Sequence, residues 1–219
     1  MNNRLGNILS LESVAFTNNF GLVFMIIGVT IQVFTYLITG SSTLSVASGM
    51  CGVISVVLCS QRKVMFYVFG FIQLFTYVVL CVHQKLYGEI AENAFYFATM
   101  LFGLYHWANH YDEEKTTVET RNLNTKQKVC IAIVAVVFTI ALYGLLHITD
   151  DTQPFLDSVT TIPAFIAQIL MIMRYRDSWY YWLTIDLGSI VMWAVAGDWC
   201  MVAQFVFWTI NCIYGLRKW

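Results

Sequence analysis

Long apolar runs, broken by brief polar punctuation, recur along the whole chain. Reading for runs and breakers gives eight, at roughly 18–39, 44–61, 64–83, 89–108, 129–147, 156–173, 180–196 and 199–216. Each is long enough as a helix to cross a bilayer core about 30 Å thick. The alternating strands of about ten residues that mark a membrane barrel are not the pattern here. Several connections are very short: GSS, QRK and AGDW. One is long and polar, NHYDEEKTTVETRNLNTKQK over residues 109–128, and its mixed charge reads as a solvated linker between two halves. The pattern predicts an all-α integral membrane protein with eight transmembrane helices.

Composition agrees. Of 219 residues, 58% are hydrophobic and only 11% charged, against about 25% charged in a typical soluble domain. The N-terminal stretch MNNRLGNILSLESVAF is too polar for a secretory signal. The net charge of −1 gives no argument for nucleic acid. The six cysteines lie inside apolar runs, without CxxC spacing or histidine neighbours suited to a metal, and read as packing residues. No cofactor is implied. Histidines 83, 106, 110 and 147 fall near run ends and read as interfacial.

The basic residues test the count. With eight spans both termini share one side. Arg4, Arg62, Lys63, Lys115, Arg121, Lys126, Lys128, Arg174, Arg176, Arg217 and Lys218 all fall there, which leaves only Lys85 of the twelve on the other side. Basic loops face the cytoplasm, so both termini are expected there.

The fourth and eighth runs end alike, GLYHW (103–107) and GLRKW (215–219), an offset of 112. In that register Glu92 meets Gln204, Tyr96 meets Trp208, Thr99 meets Asn211 and Gly103 meets Gly215. One residue of slippage pairs the third and seventh runs, so that Phe69 meets Trp182 and Gln73 meets Asp186. The expected organisation is an N-terminal segment with an extra helix (1–43), a three-helix repeat (44–108), the polar loop (109–128), a linker helix (129–147) and a second three-helix repeat (156–219). Three helices are an odd number, so one linker helix makes the two repeats parallel. The first span is expected at the periphery.

Polar residues inside the runs form stripes. Trp182, Asp186, Ser189 and Trp193 recur at intervals of 0, 4, 7 and 11, one helical face. So do Gln204, Trp208, Asn211 and Gly215, and likewise Asp157, Thr161, Ala164 and Gln168. Gln73 and Tyr77, and Glu92, Asn93 and Tyr96, add to them. The bland reading of the amides and hydroxyls is interhelical glue, worth about 0.6 kcal/mol each. Asp186 is different. A carboxylate at the bilayer centre costs roughly 2.5–3.5 kcal/mol on insertion scales, and no Lys or Arg lies mid-span to pair with it. Either it is protonated or its positive partner comes from outside. Carboxylates, amides and flat aromatics at the midplane suit a polar, flat, cationic solute. The expected binding residues are Gln73, Tyr77, Asn93, Asp157, Gln168, Trp182, Asp186, Gln204, Trp208 and Asn211. Small residues of the second run (Ser45, Ser48, Gly49, Gly52, Ser55) read as close helix packing.

KLYGEIAENAFYFATMLFGLYHW, PFLDSVTTIPAFIAQIL and WYYWLTIDLGSIV resemble the PnuC nicotinamide riboside transporters, with Trp179, Trp182 and Asp186 on a W-x-x-W-x-x-x-D/N pattern. The resemblance covers about 44–219. It implies a fold related to the SWEET sugar transporters, with a three-plus-one-plus-three plan, and a homotrimer. It implies uptake of nicotinamide riboside across a bacterial inner membrane by facilitated diffusion, with a cytosolic kinase trapping the product. Gln73, Asn93, Trp182 and Asp186 fall on polar or aromatic positions of the family pattern, with Gln73 and Asp186 where relatives carry Asn. The expected mechanism is alternating access around a midplane site, with proton coupling through Asp186 or Glu92 left open. The alternative is a SWEET-like carrier of a sugar or another nucleoside. A retinal photoreceptor is excluded because no lysine lies mid-span, and an enzyme is disfavoured because His106 and His110 sit at a boundary without a helical HExxH.

Overall fold

A computed structural model of the chain describes residues 19–112 and 117–219. The polar N-terminal stretch with Arg4, and Lys115 in the loop, lie outside the described residues. The eight predicted spans are eight helices: α1 Asn19–Thr39, α2 Thr43–Ser60, α3 Phe66–Gln84, α4 Tyr87–Asn109, α5 Thr125–Leu146, α6 Pro154–Ile172, α7 Ser178–Ala196 and α8 Trp199–Lys218. Six are individually long and apolar enough to cross a membrane. The other two, α4 and α7, carry Glu89, Glu92, Asn93 and Asp186 among many aromatics, which lowers their mean hydropathy.

Local chemistry sets the helix ends. Ser42 accepts from Ser45 N at the start of α2, and Asn124 forms a capping box with Gln127 at the start of α5. Four helices end in the same turn. After α2, Arg62 N donates to Cys59 O and Lys63 N to Leu58 O, with Arg62 at φ 60°. After α6, Arg174 N donates to Met171 O and Tyr175 N to Leu170 O, with Arg174 at φ 64°. Lys85 (φ 54°) and Gly197 (φ 79°) close α3 and α7 in the same way. These are Schellman caps, which place one residue in the left-handed region.

Each pair of caps is separated by 112 residues, Arg62 to Arg174 and Lys85 to Gly197. The packing repeats at the same interval. A Cβ on Gly103 would meet the Tyr67 side chain, and one on Gly215 would lie 2.5 Å from the Trp179 indole. The repeat therefore keeps one register throughout. The slippage expected for the third and seventh spans is absent: Asp186 is the counterpart of Leu74, and Gln73 of Ile185. The slip had aligned two polar residues, but burial alternates with the unslipped register, Leu74 and Asp186 both being buried.

The repeats, α2–α4 and α6–α8, form a six-helix ring: α2 packs on α3, α3 on α4, α4 on α6, α6 on α7, α7 on α8, and α8 returns to α2. Trp107 Nε1 of α4 donates to Met171 O at the end of α6. Trp219 Nε1 donates to Ser60 O at the end of α2. Each repeat thus anchors its last helix on the other's first. The linker α5 packs on α6 outside the ring, and α1 packs on α2 and α8. Gln32 holds α1 there, its amide nitrogen donating to Cys200 O (3.2 Å) and its oxygen accepting from Gln204 N (2.9 Å).

The 109–128 loop is less solvated than its charge predicts. Tyr111–Asp112 (β1) pairs antiparallel with Thr117–Val118 (β2), and Thr117, Val118 and Leu123 are buried. Its backbone is tied to both repeats. Val118 N donates to Arg62 O, Arg121 N to Arg174 O, and Arg176 N to Arg121 O. Asp177 accepts from Leu123 N (2.7 Å) and pairs with Lys128 (2.7 Å). Both repeats present the C-terminal ends of their first helices to this loop, which confirms that they run parallel. At the opposite end Lys85 meets Asp150 at 2.9 Å. The hydrogen bond from Lys85 holds the Asp150 carboxyl below its ordinary value.

Candidate functional site

The ring encloses a cavity of about 130 Å³. All six ring helices line it, and α1 and α5 contribute nothing. Of the ten residues expected from sequence, Gln73, Tyr77, Asn93, Gln168, Trp182, Asp186, Trp208 and Asn211 line it. Aromatic clusters flank it on both sides along the ring axis. Tyr67, Trp107, Trp179 and Trp219 lie toward the loop end, and Tyr77, Trp193 and Phe205 toward the other.

Asp157 and Gln204 lie outside the lining. Asp157 is fully buried on α6, where its carboxylate accepts from Gly88 N (2.7 Å) and Glu89 N (3.0 Å). It caps α4 from another helix, and Gly88 is there because a Cβ would strike that carboxylate. The other repeat has the related arrangement: Asp198 caps α8 by accepting from Cys200 N and Met201 N, and Ser45 of α2, at the repeat position of Asp157, donates to it. Gln204 packs beside Gly52. A helical face decides which direction a side chain points. It does not decide depth: Asp157 lies about three turns before Gln168, the first lining residue of α6, and Gln204 turns toward Gly52 although Phe205 beside it lines the cavity.

Sequence reasoning left Ser55, Glu89, Glu92, Tyr96, Trp179 and Ser189 off the site, yet all six line it. The signal was present for four of them: Glu92 and Tyr96 flank Asn93 on its stripe, Ser189 follows Asp186, and Trp179 opens the W-x-x-W motif. Glu89 sits in the first turn of α4, where a carboxylate reads as favourable to the helix dipole.

The cavity is acidic. Glu89, Glu92 and Asp186 line it, and no Lys, Arg or His does. Tyr77 OH donates to Glu89 Oε2 (2.9 Å) and Thr160 to Glu89 Oε1 (3.2 Å), while Trp193 Nε1 donates to Tyr77 OH (3.0 Å). The Cys212 thiol donates to Asp186 Oδ2 (3.1 Å). Two amides are partly spent on helix contacts at equivalent places: Asn211 Nδ2 donates to Val56 O (3.0 Å), and Gln168 Nε2 to Thr99 Oγ1 (3.3 Å).

Around the same space buried polar atoms stand without a partner in the protein. They are Glu92 Oε2, Tyr96 OH, Ser189 Oγ, Asn211 Oδ1 and the indole nitrogens of Trp179, Trp182 and Trp208. A buried polar atom left unpaired costs about 1–3 kcal/mol. Seven such atoms belong to residues that line one cavity, where a polar guest could engage them after a small shift of the lining. The rings of Tyr96 and Trp182 meet at the same space, tilted to one another with centroids 6.0 Å apart.

Two parallel three-helix repeats around a central cavity lined by aromatic, amide and carboxyl side chains, with a linker helix outside, define a small-solute carrier of the parallel two-repeat kind. Comparison with known proteins agrees. Residues 42–219 match the family described as Nicotinamide mononucleotide transporter, and the chain belongs to that family. It is 29% identical over 214 residues to the nicotinamide riboside transporter PnuC of Haemophilus influenzae, covering 96% of this chain and 94% of that one. The corresponding figures for PnuC of Neisseria mucosa are 28% identity, 92% and 81%. Among solved structures, the crystal structure of the vitamin B3 transporter PnuC superimposes with a TM-score of 0.81 at 28% identity, over 92% of this chain and 91% of that one. The chain is a membrane transporter and not an enzyme.

Proposed function

We propose that the chain imports nicotinamide riboside by alternating access, the two repeats rocking about the central cavity. The carrying observation is the cavity's chemistry: three carboxylates, the aromatic rings of Tyr96 and Trp182, and no basic residue among the described residues that line it. The riboside has a positive pyridinium ring for the indole of Trp182, an amide, and sugar hydroxyls for the unpaired donors and acceptors.

The family's description names the mononucleotide, whereas the curated relatives transport the riboside. The lining favours the riboside for this chain. A phosphate carries about −1.5 to −2 charges at neutral pH, and it would meet acceptors with no cation to pair with. A neutral sugar would leave the carboxylates and tryptophans without their natural complement, which disfavours the hexose alternative.

A cavity of about 130 Å³ is close to one of about 150 Å³ that takes a single benzene ring. Admitting the ribose as well requires lining side chains or helices to move apart, as a rocking carrier allows. The remaining parts of the reading follow the resemblance and the basic-residue split. They are a homotrimer in a bacterial inner membrane, both termini cytoplasmic, moving the riboside down its gradient toward a cytosolic kinase that traps it.

Titration calorimetry on the purified protein tests the substrate, with nicotinamide riboside compared with nicotinamide, the mononucleotide, uridine and a hexose. The riboside alone should bind tightly. Trp182→Ala should weaken it roughly 5- to 150-fold, the value of one stacking contact. Binding of a hexose or uridine in place of the riboside refutes the assignment.

A further inference from the structure

Three carboxylates line the cavity, and they differ in what they already hold. Glu89 has both oxygens engaged, by Tyr77 and Thr160. Asp186 Oδ2 accepts the Cys212 thiol. Glu92 is 5% exposed, and its Oε2 accepts nothing. The Tyr96 hydroxyl, one turn further along α4, lies beside the Glu92 carboxyl group without reaching good hydrogen-bond geometry to it. A buried carboxylate oxygen without a donor is costly. It is not spent on the fold, since Asp157 and not Glu92 caps this helix. Nor does it hold a neighbouring helix, since Gln168 and Asn211 make those bonds.

We infer that Glu92 is the residue that separates the riboside from its phosphorylated form. Its free oxygen accepts the hydrogen of the one ribose hydroxyl that phosphorylation replaces, and a phosphate in the same space would meet carboxyl acceptors and no cation. The inference rests on the riboside reading and adds to it the source of selectivity. Glu89 stands one turn away on α4 and is also acidic, so an anion placed near Glu92 meets two carboxyl groups and, among the described lining residues, no Lys, Arg or His. A site built to bond a hydroxyl rejects a ligand that cannot supply one far more strongly than apolar contacts do.

The test is Glu92→Gln in the full-length purified protein, with calorimetry of riboside and mononucleotide side by side. The substitution keeps shape and replaces one carboxyl oxygen with an amide donor. Riboside affinity should fall about tenfold or more, as for loss of a charged hydrogen bond. Mononucleotide affinity should rise, so that the ratio of the two collapses. An unchanged ratio overturns the inference. Should Glu92→Gln not fold, Glu92→Asp decides: it should still reject the mononucleotide while binding the riboside more weakly, and wild-type riboside affinity would overturn the inference. If the unaltered protein fails to bind the riboside, the substrate reading falls and this falls with it. If it binds and Glu92→Gln behaves as wild type, only the role of Glu92 is lost.

Discussion

Asp157→Ala separates a helix cap from a ligand group. Sequence places Asp157 on a polar stripe with Gln168, and the structure puts its carboxylate on the first amides of α4, Gly88 N at 2.7 Å and Glu89 N at 3.0 Å. Both amides are buried. Removing a capping side chain costs about 0.5–2 kcal/mol. Leaving a buried donor unpaired costs about 1–3 kcal/mol. Part of this is offset, because the change also removes a buried charge beside Glu89. The net expectation is a loss of about 2–3 kcal/mol, which lowers Tm by roughly 4–12 °C for a chain of this size. Asp157→Asn keeps one accepting oxygen and should lose less. The assay is thermal unfolding in detergent, followed by riboside titration well below Tm. Riboside affinity should change far less than with Trp182→Ala, since the Asp157 side chain lies outside the cavity and reaches it only through the Glu89 backbone amide. An unchanged Tm with a collapse in affinity would refute the reasoning.

Two other perturbations test the architecture. Gly215→Ala drives a Cβ to 2.5 Å from the rigid Trp179 indole; overpacking of this kind costs about 1–3 kcal/mol, and a melting curve like wild type would contradict the close contact. Asp177→Ala removes the acceptor of Leu123 N and the partner of Lys128; limited proteolysis should then cut within 109–124 faster than in wild type, and an unchanged cleavage rate would show that the loop is held by its backbone pairs alone.

Much of this was legible beforehand, for identifiable reasons. Helix positions followed from hydropathy because lipid leaves the backbone no alternative to helix. The largest shift is at α5, which starts at Thr125 and not near 129, since the Asn124 capping box recruits the polar TKQK turn. The parallel repeat was visible in GLYHW and GLRKW. Its register was misplaced in the middle helices because a match of polar types, Gln73 with Asp186, outweighed spacing, whereas the Schellman caps hold the spacing at 112. The face of each site residue was legible and its depth was not. That is why eight of the ten expected residues line the cavity while Asp157 sits at the start of α6; Gln204, level with the lining residue Phe205, is instead packed against Gly52. The loop was misjudged because most of its contacts with Arg62, Arg174 and Arg176 run through backbone, and the side-chain bond from Arg174 ends on the Glu119 carbonyl, neither of which leaves a trace in the loop's own side-chain chemistry.

The central claim is that this chain carries nicotinamide riboside down its gradient through the cavity between the repeats. Counterflow in proteoliposomes tests it most directly: vesicles preloaded with unlabelled riboside, placed in a trace of labelled riboside, with no ion gradient imposed. The account predicts rapid transient accumulation of label, abolished by Trp182→Ala and insensitive to an external hexose. No accumulation, or accumulation only when a proton gradient is applied, would contradict it.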